Sequence, residues 1–277
     1  MGRFITGIYN YCDYWCDRCA FKSRCRNYAD EQALAKGASP RERDDATNQA
    51  FWNRLSRKLF EAAACGKADE RDGDNENWLD TDWRDAQDAR SDAASEAAIT
   101  SRERAVNTHP LLRQADVYRR RTGEWLKRSD ADLKSLAEEW MAAAGSGADD
   151  TDYEEAALEM GDLIEVVAWY HTLIFPKLAC AVGDLAEPVS NQEETAKIIR
   201  EARDYDAAGS GKVALIAVER SIAAWMRLRE ILPAQEDALL DLLVMLDRLR
   251  RGIRSAVPGA ETFQRPGFDT GKDLFEE

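Results

Sequence analysis

"KVALIAVERSIAAWMRL", residues 212–228, reads as a helix with almost no side to spare for water. Every position from Val213 to Val218 is apolar, and Glu219, Arg220 and Ser221 break the run. A helix that is apolar all round belongs in the middle of other elements, so its neighbours should each turn one apolar stripe toward it. The following segment does. Pro233 can open a helix whose seam is Leu239, Leu242, Leu246 and Leu249, with Gly252 as its stop.

Working back toward the N-terminus, Ser190 and Glu193 form a capping pair for a helix that should end near "DAAGSG", residues 206–211. "GSGKVAL" at 209–215 fails as a phosphate loop. It has Asp206 where the first glycine is needed and Val213 where a hydroxyl is needed. Thr151 and Glu154 cap a long helix reaching about Ala186, with Pro176 expected to kink it. "AGSGADD", residues 144–150, is the clearest linker. Before it, Ser129 and Asp132 predict the start of a helix carrying Leu133, Leu136, Ala137 and Trp140. Thr108 and Pro110 predict another, with the stripe Leu111, Ala115, Tyr118, Thr122 and Trp125. Ser39, Pro40 and Glu42 open one more, with Phe51, Leu55, Leu59 and Ala63 on one face and Gly66 at its end.

Residues 67–107 are acidic and rich in Asp, Asn and Ser, with Trp78, Leu79, Trp83 and Ile99 as bulky anchors. They read as an extended or loosely helical connection, with disorder as the alternative. The tail after residue 256 has turn residues and no period, which predicts an irregular and mobile end. The short "RFITGIY", residues 3–9, is the one stretch compatible with a strand. The fold expected is all-α. Four helices between residues 151 and 253 would form an antiparallel bundle, two earlier helices would pack beside it, and a cysteine-rich metal-binding segment would precede them. The boundaries fall at 1–30 for the cysteine segment, 31–107 for the helix and acidic connection, 108–256 for the bundle and 257–277 for the tail.

Charge narrows the function. The net charge of the 277-residue chain is −14. Residues 1–60 are mildly basic, with 11 Lys and Arg against 7 Asp and Glu, and the acidity lies in the rest. An acidic body repels phosphate backbones, which argues against general nucleic-acid binding and leaves a protein as the expected redox or interaction partner. No apolar run approaches the roughly 18 residues a membrane crossing needs, and no secretory leader is evident, so a cytoplasmic protein with no membrane association is expected. "MGRFIT" fits a loose N-terminal acylation pattern, but its three fixed positions recur often by chance.

Chemistry concentrates in "YNYCDYWCDRCAFKSRC", residues 9–25. Cys12, Cys16, Cys19 and Cys25 fall within fourteen residues, crowded among Tyr9, Tyr11, Tyr14, Trp15 and Phe21. In a reducing compartment such clustering points to metal before disulfides, and thiols that only filled a core would follow helical or strand spacing. Four thiolates match tetrahedral zinc and a 4Fe–4S cluster alike. Only one C-x2-C pair exists, however, and His109 and His171 lie far along the chain, so the usual zinc-knuckle pairing is missing. Arg18, Lys22, Arg24 and Arg26 can offset the negative charge of a thiolate site or can be ordinary solvated surface.

Cys16-x2-Cys19-x5-Cys25, "CDRCAFKSRC", resembles the three-cysteine segment of WhiB-like iron–sulfur regulators and the C-terminal cysteine segment of RecB-type and AddB-type nucleases. The resemblance implies that Cys16, Cys19 and Cys25 are ligands of a 4Fe–4S cluster. It covers about ten residues. In those families the fourth cysteine is more distant, whereas Cys12 stands only four residues upstream here, and Ala20 replaces the proline often found after the middle cysteine. No nuclease motif or basic tail accompanies it, so the cluster is carried over and the DNA function is not. Cys12-x3-Cys16-x2-Cys19 is also similar to the triad of radical S-adenosylmethionine enzymes. Arg18 occupies their usual aromatic position, Cys25 stands ready to close the open iron, and no strand–helix alternation is present.

Three function classes follow. A 4Fe–4S helical protein would act in electron transfer or redox sensing. A zinc-stapled helical scaffold would bind partners without catalysis. A bundle oxidoreductase would use the cluster as an auxiliary centre. For the last, Glu155, Glu159, Asp162, Glu165 and His171 are the candidate second site, although no Glu-x-x-His motif occurs and a solvated acidic face with a hydrogen-bonded core histidine explains them better. Glu219 and Arg220 require either a buried pair or a polar groove. Cys65 and Cys180 read as small core residues.

Overall fold

A computed structural model describes residues 4–35, 100–144, 151–186 and 193–269. Every regular element among the described residues is helical. They are α1 (Arg26–Ala35), α2 (residues 100–108), α3 (Pro110–Ala144), α4 (Thr151–Ala186), α5 (Glu193–Ile231) and α6 (Glu236–Ala256), with 3-10 turns at Cys16–Arg18, Lys22–Arg24 and Pro233–Gln235. Residues 4–9, where a short strand was conceivable, form turns. The helix and anchors expected over 39–99, the 145–150 linker, the Ser190 cap and the end of the tail lie outside the described residues.

Three boundaries differ from the sequence reading, each because a polar or small residue is used for packing. The first is Ser129, which opens no new helix. The stripe Leu111, Ala115, Tyr118, Thr122 and Trp125 runs on through Ser129 to Leu133 on one buried face of α3, and the Ser129 hydroxyl donates to Gln235 Oε1 at 3.2 Å. Upstream, Thr108 finishes α2, its hydroxyl donating to the Arg104 carbonyl. His109 does the capping instead, accepting the Leu111 amide at Nδ1. The second is Gly209-Ser210-Gly211, which ends no helix, because α5 passes through it for 39 residues. Three helices therefore fill residues 151–256 where four were expected. The third is Gly252, which sits inside α6 where Leu111 of α3 comes so close that a Cβ would meet its Cδ1 at 2.7 Å.

Pairwise packing closes a ring: α3 lies on α4, α4 on α5, α5 on α6, and α6 returns to α3. The core within it is continuous. Val213, Ala214, Leu215, Ala217 and Val218 of the opening stretch are buried, as its all-round apolar character requires. Leu239, Leu242, Leu246 and Leu249 are buried too, and Ile253 extends their seam. At the centre Trp225 and Trp125 meet edge to face at 4.8 Å, and Trp225 Nε1 donates to the Tyr118 hydroxyl at 3.0 Å.

Helix α4 continues through Pro176, whose ring is exposed. Its 34 residues from Tyr153 have a mean hydropathy of 1.3 over the most apolar window, so by length and composition it could cross a membrane. No such run was expected from the sequence. Here Val167, Tyr170, Ile174, Leu178 and Ala181 spend that apolar character on the shared core.

Candidate metal centre

The cysteine segment lies against α4 and α5 and is folded by turns that pivot on its thiols. Gly7, at φ 76°, and Tyr14, at φ 57°, take the left-handed backbone on either side of Cys12. That conformation is costly for a tyrosine by about 1 kcal/mol. The Lys177 ammonium lies 4.6 Å from the Tyr14 ring centre and helps hold it there. Beyond Tyr14 the chain makes one turn per cysteine. The Cys16 carbonyl accepts the Cys19 amide at 3.2 Å, the Cys19 carbonyl accepts the Lys22 amide at 3.4 Å, and the Lys22 carbonyl accepts the Cys25 amide at 3.3 Å. The Cys25 carbonyl then takes the Ala29 amide as α1 begins, and the Ile5 amide closes the segment on the Arg24 carbonyl.

These turns bring Cys12, Cys16, Cys19 and Cys25 to the wall of one small cavity. Tyr9, Trp15, Phe21, Tyr28 and Phe268 complete much of the lining. All four thiols are free and half-buried. Among the described residues no three or more His, Cys, Asp or Glu side chains form a group of the kind that closes on one metal ion. Burial pushes the Cys12 thiol up, against the pull of the Tyr14 backbone and of Lys177. Burial first, then Cys12, Glu31, Cys25 and Cys19, pushes the Cys16 thiol up to about 11. Four soft donors with apolar walls suit a thiolate-ligated iron–sulfur cluster or zinc, either of which would displace the thiol protons.

What fixes this segment to the helices was only partly visible in the sequence. Asp13, between the first two cysteines, accepts the Tyr170 hydroxyl at 2.7 Å and Arg220 Nη1 at 2.8 Å on Oδ2, while its carbonyl accepts Trp169 Nε1 at 2.9 Å. Arg220 also bonds the Tyr170 hydroxyl, which burial and Asp13 push up to about 12. Trp15 stacks on Trp169 at 5.3 Å, and Arg18 lies over Trp15 at 4.5 Å while pairing with Asp162 and Glu165. Tyr11 is buried against Gly209, where a Cβ would meet its ring carbons at 2.3 Å, and its hydroxyl bonds Asp206. The two glycines of "GSG" are therefore a landing place. Tyr11 takes Gly209, and Val257 with Ala260 take Gly211.

The tail also differs from expectation. Residues 257–269 are irregular but packed, with Val257, Ala260 and Phe263 buried and Phe268 edge to face with Phe21. The second candidate site does not assemble. Glu155 is exposed, Glu159 pairs with Arg227, and Asp162 and Glu165 pair with Arg18. His171 Nδ1 faces the Val167 and Ala168 carbonyls, and burial lowers its basicity. Glu219 and Arg220 are both on the exposed side of α5, with Glu219 near Arg254 at 3.8 Å and Arg220 committed to Asp13. Cys180, expected in the core, is exposed, and Cys65 lies outside the described residues. Lys177, which no sequence pattern marked, is buried near Cys12. Desolvation lowers its pKa, and Cys12, Cys180 and Asp13 act in the opposite direction.

No protein-family model, no curated protein and no solved structure matches this chain.

Proposed function

We propose that Cys12, Cys16, Cys19 and Cys25 hold a 4Fe–4S cluster, and that the chain is a cytoplasmic electron-transfer or redox-sensing protein built on an antiparallel helical bundle. The observation that carries this reading is the convergence of all four thiols on one small cavity walled by aromatic side chains. Four thiolate donors with only one C-x2-C pair and no nearby histidine favour the cluster over a zinc knuckle. When bound, a 4Fe–4S cluster accepts and donates single electrons at a potential set by burial, charge and hydrogen bonds to sulfur. The chain's own residues supply those settings. Trp15, Phe21, Tyr28 and Phe268 wall the thiol cavity with apolar surface, and the buried Lys177 ammonium offsets thiolate charge beside Cys12. The Asp13, Tyr170 and Arg220 network ties the cysteine loop to α4 and α5, so a change of charge at the thiols reaches both helices through fixed contacts.

Protein purified without oxygen is expected to be brown, with about four irons and four sulfides per chain and broad absorption near ~400 nm that bleaches on reduction. Cys16→Ser and Cys25→Ser should each abolish the colour. A colourless protein carrying stoichiometric zinc would overturn the redox reading and leave a zinc-stapled scaffold.

A further inference from the structure

A second cavity, of about 550 Å³, opens beside the thiols, between the cysteine segment, α4, α5 and the packed tail. Three guanidinium groups line it, Arg18, Arg220 and Arg265, against one carboxylate, Asp13. Four carboxylates, Asp13, Asp162, Glu165 and Asp269, pair with these three arginines, so the cleft offers guanidinium nitrogens without a net positive charge. The carboxylates that fix the arginines mostly stand outside the cavity wall. Arg18 Nη2 is held by Asp162 and Glu165, Arg265 by Asp269 at 3.0 Å, and Arg220 Nη1 by Asp13. A guanidinium has five N–H donors in a planar fork, and each arginine commits only one or two nitrogens to these pairs. Arg18 and Arg220 each keep nitrogens to spare, whereas Arg265 gives its Nε and Nη2 to Asp269 and keeps Nη1. The rest of the wall is flat and apolar: Trp15, Phe21, Tyr170 and Phe268 contribute rings, and Leu163, Val166, Ala223 and Ala224 contribute aliphatic surface.

The volume falls in the range of small-molecule sites, roughly 300–1,000 Å³. Uncommitted guanidinium nitrogens, chiefly on Arg18 and Arg220, can bind phosphate by charge-assisted hydrogen bonds, and aromatic walls select a flat body. We infer that this cleft binds a small phosphorylated molecule with a planar aromatic ring, a mononucleotide in chemical class. Asp13, Trp15, Cys19, Phe21 and Phe268 belong to both cavities, so the bound molecule lies against the same loop that carries the thiols. The inference needs the arginines and rings, and it stands whether or not the thiols hold iron.

The test is isothermal titration of the full-length protein, as purified, with AMP, GMP, CMP, UMP and flavin mononucleotide in turn, and with inorganic phosphate and adenosine as half-ligands. At least one of the five should bind saturably at one per chain, and more tightly than either half-ligand. Ala223→Trp fills the cleft from an exposed position on α5 and should weaken binding by roughly tenfold or more. Arg18→Gln, which removes one fork, should do the same. Circular dichroism checks that each variant is folded. No binding by any of the five, binding unchanged by both substitutions, or phosphate alone matching the best ligand would overturn the inference. Iron content of the same samples is read separately: nucleotide binding without iron sinks the cluster alone, and iron without nucleotide binding sinks the cleft alone.

Discussion

Trp225 and Cys16 represent two ways of holding a chain in place. Trp225 is fully buried among residues of α3 and α5, with a tryptophan on its ring and a tyrosine on its nitrogen. Cys16 is half-buried in a run of turns where, from residue 12 to residue 25, no side chain is fully buried. The helical body is held by area removed from water, which every helix of the ring shares. The cysteine segment, residues 12–25, is held by a few directional contacts. A body of the first kind folds by itself, whereas a segment of the second kind has to be docked on it.

The comparison breaks if the two regions fail together under every substitution. Trp225→Ala should give the largest loss, about 3–5 kcal/mol of global stability, because it empties the centre of the ring and strands the Tyr118 hydroxyl. Urea denaturation followed by far-ultraviolet circular dichroism measures it. The metal content of the chains that remain folded should be unchanged. A Trp225→Ala protein that keeps its stability but loses its metal would show that the body depends on the staple.

Gly209→Ala sharpens the distinction from the other side. Alanine improves the helix by nearly ~1 kcal/mol, yet its Cβ would stand 2.3 Å from two carbons of the buried Tyr11 ring and 3.0 Å from Phe263. The docking of the N-terminal segment should therefore weaken by about 1–3 kcal/mol while α5 itself gains. Hydrogen exchange separates the two effects. Amides of residues 5–25 should lose protection, and those of α5 away from Gly209 should not.

This substitution also shows where the sequence could and could not be read. The apolar stripes of α3 and α6 were legible because periodicity reports burial directly, and the middle of α5 because its run is apolar on every side. The four cysteines were legible as a group because their spacing is short. What failed was punctuation. Ser129 and "GSG" carry turn and cap chemistry, and local propensity assigns them to helix ends. Both are instead used by distant partners, Ser129 by Gln235 and Gly209 by Tyr11, across 106 residues in one case and nearly 200 in the other. A one-dimensional pattern holds no record of such an approach. Lys177 and Asp13 were missed for the same reason, since each gains its meaning from a neighbour on another element.

Asp13→Asn should have a smaller effect than either. It keeps the carbonyl that accepts Trp169 and the shape of the side chain, but it removes the charge that Arg220 and Tyr170 share. The Arg220 side chain is 53% exposed, so water screens much of the loss, and roughly 1 kcal/mol is expected. The readout is again local. Fluorescence of the Trp15–Trp169 stack should change at lower denaturant than the far-ultraviolet signal, which in the parent protein should follow it more closely.

The smallest effect concerns His171, which belongs to the body and should behave as a body residue. Burial lowers its pKa below the ordinary value of 6.5, and Arg119 pushes in the same direction, against the two carbonyls at Nδ1. Above that ordinary value the imidazole is neutral in the folded and unfolded chains alike and costs nothing. As pH falls through about 6.5 the unfolded chain takes up a proton that the folded chain resists, so stability drops until the lower folded pKa is passed. His171→Gln removes this uptake. Between pH 7.5 and 5.5 the parent should therefore lose more stability than the variant, by no more than about 1 kcal/mol, because the ring is not fully buried. Urea midpoints of the two proteins at both pH values isolate the difference from the carboxylates they share. If His171 were instead drawn into the chemistry of the thiols, the substitution would alter metal content or colour at pH 7.5, where its proton plays no part in stability. An effect there and none at pH 5.5 would move this histidine from the body to the site.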